Sequence, residues 1–536
     1  MKATKMILTL AVALCVAIGG TACQGGKTVI TGGEEEVSQE IDVLSGAENT
    51  ASGGAQNNQT GSGNGPGGSN STRSGASGSG DNKNAQASDA GKIAADPTEK
   101  PLTQQMKEKL DFKKATITLA YSWDPIPTVK TAASEREEKR IAELEAKYNC
   151  KIERKQGRAT GYLEAILTTT AAGKPMGDIM MTQDGQIPAS YKAGVFADLS
   201  PAMKATGIDF TNSRYSQTAR KYTNINNQQV GFNAAYSEGK YNIWFYNKRI
   251  FGERGITEDP QALYAQGKWT WDKAEELAEK ATKRNSGGTV ESYGLGFWFA
   301  GDCLIDTIVS NGSFLTAPDA NTGKAKIVWE DAKARKAIER VHKWATQNKF
   351  MKFGDGGESW DARMNDFAAG NLAILAATDS MLDIIREKGM ADDFGMVYAP
   401  KGPDASDYYS SIKLGYFYFI PKARQSVAND YLLLMDDYFA PYPGMSDEDR
   451  FKERWMASFR DSKSYDIFKD MTFNAKRQKY DPNAIFGLMW AQPSFGTLVS
   501  DLYNNRITPG NIVDQNTKAY QNVINDNWKN MRLTGK

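Results

Sequence analysis

The sequence predicts an α/β protein with helices on both faces of a parallel sheet, carried behind a long segment that has no core of its own. Three observations carry this. Between Thr116 and Ala193, strand-like and helix-like runs alternate in short steps, the pattern of a doubly covered parallel sheet. Hydrophobic residues make up 40% and aromatic residues 10% of the chain, ample for a core. The chain holds 11 Trp, 23 Tyr and 22 Phe, yet the first aromatic residue is Phe112.

The totals exclude several classes. A chain of 536 residues has room for two or three domains. Lys+Arg is 65 and Asp+Glu is 64, a net charge of +1, so neither the basic surplus of a nucleic-acid binder nor an acidic solvating tail is present. His342 is the one histidine, which argues against Ser/His/Asp, Cys/His and multi-His zinc chemistry. The 4 cysteines are too few for a disulfide scaffold.

Residues 1–23 read as an export signal. Lys2 and Lys5 give a positive start, and Met6 to Ile18 is apolar except for Thr9. That run is shorter than the ~20 residues needed to span a bilayer, and small residues follow it. Gly20-Thr21-Ala22-Cys23 resembles the lipobox of bacterial lipoproteins, with Gly20 where an aliphatic residue is usual. The resemblance implies that Cys23 becomes the lipidated N-terminus. Several acyl chains, at about 0.8 kcal/mol per buried CH₂, make such an anchor effectively permanent.

Residues 24–110 read as a tether. Gln24 to Lys100 contains 16 Gly, and Ala55 to Asn82 is nearly pure Gly, Ser and Asn. Such a segment cannot bury enough apolar surface to offset its ordering entropy. As a flexible coil of ~77 residues it reaches on the order of 50 Å.

The globular elements follow in order. Thr116–Tyr121 is β-branched and apolar, a buried strand. Glu135–Tyr148 places Ile141, Leu144 and Tyr148 at helical spacing. Lys151–Arg154 is a short strand, Gly161–Ala172 a helix stopped by Gly173-Lys174-Pro175, and Asp178–Met181 a third strand. Tyr241–Tyr246 is an apolar strand with Asn247 as a helix cap. Thr270 caps another helix, with Asp272 in its first turn. A helix stops at Gly370, ahead of the buried strand Leu372–Ala376.

Four blocks carry a wider resemblance. Gly173-Lys174-Pro175-Met176-Gly177-Asp178-Ile179 is followed by Gly194-Val195-Phe196-Ala197-Asp198-Leu199. Tyr246-Asn247-Lys248-Arg249-Ile250-Phe251 with Gly255-Ile256 precedes Trp269-Thr270-Trp271-Asp272-Lys273. Then come Asn365 to Ile374, and Phe394 to Val397 with Pro400-Lys401-Gly402-Pro403 and Gly415 to Pro421. Together, over about residues 115–425, they resemble family 1 of the bacterial extracellular solute-binding proteins, the maltose-binding-protein-like receptors of ABC importers. Two positions depart from the pattern: Met176-Gly177 replaces the usual Pro, and Ala377-Thr378-Asp379-Ser380 lies where many sugar binders place a Trp.

The resemblance implies a two-lobed, type II periplasmic-binding-protein fold, α/β, with a hinge and an interlobe cleft. Residues 111–235 and 399–440 would form the first lobe, and 236–398 and 441–536 the second, with crossings near 232–236, 398–401 and 435–445. It implies a monomer with no enzymatic activity, no cofactor and no metal. Its partners would be a small solute, the ABC permease subunits and, through the lipid, the outer face of the cell membrane.

A sugar presents hydroxyls at its edge and C–H groups on its faces, so its pocket needs aromatic planes and convergent carboxylates and amides. Strand ends face the cleft in open α/β sheets. This gives Trp123 and Asp124 after the first strand, Gln183 and Asp184 after the third, and Tyr236 and Glu238 at the crossing. It also gives Trp298 and Asp302 after a Gly-rich strand, Trp360 in a Gly-rich loop, Asp379 after the buried strand and Tyr416 on a late strand. Any one Trp also fits core packing, and Asp379 also fits a helix cap. Trp329 and Trp344, near the helix Asp331–Gln347, are expected in the core and His342 on the surface. Cys150 and Cys303 are left as a pair or as two free thiols.

The favoured reading is an oligosaccharide receptor. Its competitors are the same fold binding a peptide, polyamine or metal chelate, or serving a sensor kinase; a carbohydrate-active enzyme, with for example Glu238 and Asp302 as its carboxylate pair; and a surface adhesin, which the lack of internal repeats disfavours.

Overall fold

Local chemistry begins each element of the first sheet. In the computed structural model, which describes residues 100–126, 130–158, 161–235, 240–352, 361–488 and 495–535, strands β1 (Thr116–Tyr121), β2 (Lys151–Gln156) and β3 (Ile179–Gln183) are joined by helices Ala132–Tyr148 and Tyr162–Ala171. The first helix opens on a reciprocal Thr131/Ser134 capping box and closes on Asn149 in the left-handed conformation, each satisfying orphan backbone groups. The second follows Gly161, at φ 62°, where a side chain would be strained.

The chain then forms a hairpin, β4 (Asn224–Ile225) and β5 (Gln228–Gln229), and enters β6 (Lys240–Asn247). There follow β7 (Lys283–Arg284), β8 (Val290–Phe297), a hairpin of β9 (Thr316–Pro318) and β10 (Ala325–Ile327), β11 (Met351–Lys352) and β12 (Leu372–Thr378). The last strands are β13 (Phe394–Val397), β14 (Ser410–Lys413), β15 (Tyr416–Phe419) and β16 (Gln478–Tyr480). Asn247 accepts from the Ile250 N–H and Thr270 from that of Lys273, so both caps act as the sequence predicts.

Besides the two hairpins, two large sheets result, one for each lobe. The first has the order β15-β3-β1-β2, with β1 parallel to β2 and β3 and with β15 antiparallel. Alternation splits its side chains. Leu119, Tyr121, Met181 and Tyr418 enter the core shared with the helix Ala428–Phe439, whereas Ala120, Met180, Phe417 and Phe419 enter the other. The second has the order β11-β8-β12-β6-β14-β16, with β13 also on β6 and β7 on β8. Trp244 on β6 is at its centre, edge-on to Phe297 at 5.5 Å and Trp269 at 6.1 Å. Trp329 and Trp344 are fully buried, and His342 meets Asn505 at 3.0 Å in an exposed contact. Cys150 and Cys303 are both free thiols.

Strand pairing differs from the sequence reading in two places. The sequence puts one crossing at 398–401, but Ser410–Lys413 adds a further strand to the second sheet, and the chain passes to the first sheet through Leu414 and Gly415. The sequence also runs the tether to residue 110, yet Leu102–Lys109 is a helix. Thr103 Oγ1 donates to the Thr206 carbonyl at 2.7 Å, and Lys107 pairs with Asp436 at 2.5 Å and with Asp437. Polar anchors hold this helix, which is why a search for apolar pattern misses it. Among the described residues no helix is long and apolar enough to cross a membrane, and the proposed leader and Cys23 lie outside them.

Candidate functional site

Strand direction decides where a site can form. In the first sheet the carboxyl ends of β1, β2 and β3 share an edge with the start of β15, because Tyr416 pairs with Gln183. In the second, β8 and β11 run parallel to β12, and both β12 and β14 run antiparallel to β6. The carboxyl ends of β8, β11, β12 and β14 therefore share an edge with the start of β6. The end of β14, Lys413, and the start of β15, Tyr416, are separated by two residues, a span of at most ~11 Å. The carboxyl edges of the two sheets adjoin there, as expected for a cleft between lobes.

On the first edge, Trp123 keeps 37% of its surface exposed. Its ring lies 4.5 Å from that of Tyr416 and 5.5 Å from that of Tyr121, both edge-on. Gln183 Nε2 donates to the Tyr416 hydroxyl at 2.9 Å. Tyr121 and Tyr418 share a hydroxyl contact at 3.1 Å, and burial pushes the Tyr121 phenol up to about 12. Asp124 is exposed and accepts the Ile126 N–H at 3.0 Å, which fixes the loop that presents Trp123.

Asp184 is buried and tied to the crossing. Its carboxylate accepts from Gly185 N at 2.8 Å, Gly415 N at 3.1 Å and the Tyr480 hydroxyl at 3.4 Å. Gly415 sits at φ 67°, which glycine adopts without strain. Burial, reinforced by the Asp184 charge, raises Tyr480 well above its ordinary range, so this tyrosine stays a donor.

On the second edge, Trp298 is half-buried and Phe299 is 40% exposed. The Trp298 N–H donates to the Ala376 carbonyl at 3.0 Å, continuing the sheet into this loop. Asp302 is buried on the first turn of the helix Ala300–Ser310, and Asp379 is buried just past β12. Beside them Thr378 pairs across the strands with Asn242, a buried amide that the sequence reading missed. Its one signal is a polar residue interrupting the apolar run of β6. Tyr236, Glu238 and Trp360 lie outside the described residues. Among the described residues no three His, Cys, Asp or Glu side chains gather to hold a metal ion.

The structure thus brings Trp123, Asp124, Gln183, Asp184 and Tyr416 to one edge and Trp298, Asp302 and Asp379 to the other. Exposed rings beside carboxylates and amides equip the site to hold a polar molecule that also has apolar faces.

The chain belongs to the bacterial extracellular solute-binding protein family, whose model matches residues 139–431. Solved structures of the same fold include an ABC substrate-binding protein from Listeria monocytogenes in complex with cycloalternan, at 14% identity and TM-score 0.53 over 78% of this chain and 99% of that one. A cyclic alpha-maltosyl-1,6-maltose binding protein from Arthrobacter globiformis matches at 13% and TM-score 0.55 over 77% and 100%. The extracellular solute-binding protein from Staphylococcus aureus in complex with maltose matches at 16% and TM-score 0.51 over 77% and 98%. At these identities the likeness is one of fold. No curated protein sequence matches the chain.

Proposed function

We propose that the protein is the lipid-anchored receptor of an ABC importer, binding an oligosaccharide between the carboxyl edges of its two sheets and releasing it unaltered to the permease. The observation that supports this is the exposure of Trp123 at 37% and Phe299 at 40%, one on each edge, beside Asp124, Gln183, Tyr416, Asp302 and Asp379. An open aromatic ring on each edge, set beside polar groups that converge on the same edge, is the arrangement a sugar's C–H faces and hydroxyls require. Relatives of the same fold were solved with cycloalternan and maltose bound. Asp184, Tyr236, Glu238, Trp298 and Trp360 complete the proposed contacts, and Cys23 carries the lipid.

Ligand touching both edges favours the arrangement that brings them together, so binding shifts a hinge equilibrium. The test is a thermal-shift screen of the chain from residue 24 against mono- and oligosaccharides. A sugar at 100 times its Kd stabilises the folded state by about 2.7 kcal/mol. Stabilisation by none of them refutes the reading, and release of cleaved products favours a hydrolase instead.

A further inference from the structure

We infer that the side-chain amide of Asn242 is a ligand contact, reserved for a hydroxyl of a neutral sugar at the floor of the second lobe's edge. The inference rests on the oligosaccharide reading above and adds a residue to it. Asn242 is 5% exposed, and its Nδ2 is buried with no hydrogen-bond partner among the described residues. Buried amide nitrogens are nearly always paired, because an unpaired one forfeits the bonds it made to water. One left unpaired needs an explanation, and a missing ligand supplies one when the group lies in a binding edge.

Position shows that it does. Asn242 is the third residue of β6, two residues from Trp244 and on the same face of the sheet. The Trp244 indole N–H reaches Asp306 at 3.0 Å, so this face lies against the helix Ala300–Ser310. Asn242 is two strand residues closer to the carboxyl edge, and Asp302 is one helical turn closer on the facing helix. Asn242 therefore lies on the face that meets this helix, level with its first turn, whose leading residue Phe299 makes no side-chain cap. The first N–H groups of a helix have no intrahelical acceptor.

The sheet itself changes character at this row. Trp244 stands opposite Ala376, and Ala376 opposite Phe297, an apolar row. One step toward the edge, Asn242 stands opposite Thr378 on one side and, by the register Ile412–Tyr241, opposite Ser411 on the other. A polar row inside a buried sheet weakens the core and is expected where function needs it. Asp302, a buried acid in the first helical turn, is the residue type that complements a helix start and disfavours an anionic ligand beside it. The remaining polar groups suit an uncharged hydroxyl, which donates and accepts at once.

The experiment uses the full chain as wild type, Asn242→Leu and Asn242→Ala. Leucine has nearly the shape of asparagine without its polar atoms, and alanine serves if leucine does not fit. Sugar affinity is measured by calorimetry, and the ligand-free melting temperature is measured alongside. A ligand contact predicts at least ~10-fold weaker binding with Asn242→Leu melting at or above wild type, because an unsatisfied buried group has been removed. Binding within threefold of wild type, or a lower ligand-free melting temperature in both variants, overturns the inference. A wild type that binds no sugar sinks the oligosaccharide reading. The ligand-free comparison then still judges Asn242, a higher melting temperature for Asn242→Leu upholding the unsatisfied amide and a lower one in both variants overturning it.

Discussion

If Trp123 is a sugar platform, its open surface sets what its loss costs. A whole Trp offers ~250 Å², and 37% of this one is exposed, leaving roughly 90 Å² for a ligand to cover. At ~25 cal/mol per Å² that cover is worth about 2 kcal/mol, or a ~30-fold change in Kd. Trp123→Ala is therefore predicted to weaken binding of the best sugar from the screen by that factor in isothermal calorimetry, with a less negative heat-capacity change. Phe299→Ala, at 40% exposure, should give a loss of similar size from the opposite edge. Leu102→Ala is the control: that side chain is 51% exposed on the helix that packs against Ala428–Phe439, and its loss should leave Kd unchanged. An affinity within threefold of wild type for both edge variants would refute the platform reasoning while leaving the fold intact.

Three further predictions test the framework around the site. Gly415→Ala forces a Cβ onto a residue at φ 67° and should cost about 1–2 kcal/mol, read as a lower melting temperature and, because Gly415 N–H donates to Asp184, as altered sugar affinity. Burial acts to raise the pKa of Asp437, but hydrogen bonds from Lys107, Lys147 and Tyr148 outweigh it and hold the carboxyl below its ordinary value. A depressed pKa gives stability present above pH ~4 and lost as pH falls through the lowered value. Asp437→Asn should thus lose about 1.5–3 kcal/mol at neutral pH and show a flatter acid limb below pH 4 in melting-temperature titrations. Cys23→Ser should abolish incorporation of labelled fatty acid and shift the protein from membrane to soluble fractions, and unchanged fractionation would remove the anchor from the proposal.

Local signals in the sequence recover the elements whose causes are local. Thr116–Tyr121 reads as a strand because its residues are β-branched and apolar, and Asn247 and Thr270 read as caps because each precedes an apolar helical pattern. Elements held by distant partners give no such signal. Ser410–Lys413 is short and polar, and it becomes a strand only by pairing with β6 and β16. The helix Leu102–Lys109 depends on acids more than 300 residues away. Asp184 is legible as a strand-end carboxylate, but its bonds to Gly415 and Tyr480 come from pairings 231 and 296 residues apart, and no local pattern announces them.

The same distinction separates the two kinds of residue at the cleft. Asp184 is buried with its carboxylate oxygens engaged by the backbone and Tyr480, so its removal would be felt with or without ligand. Trp123 and Asn242 show the reverse. One is a ring whose packed side meets Tyr121 and Tyr416 edge-on and whose other side is open to water, and the other holds an amide nitrogen closed off from water without a partner among the described residues; neither the open side nor the unpaired nitrogen helps the empty protein. A ligand with C–H faces and hydroxyl edges corrects both defects, covering the ring and pairing the amide. Asn242→Leu should therefore weaken binding without loss of ligand-free stability and Trp123→Ala should weaken binding with only the modest loss of its two edge-on ring contacts, whereas Asp184→Ala should lower both together. If Trp123→Ala and Asn242→Leu instead destabilised the empty protein as much as Asp184→Ala, both would be framework, and the site would have to be sought elsewhere along the two edges.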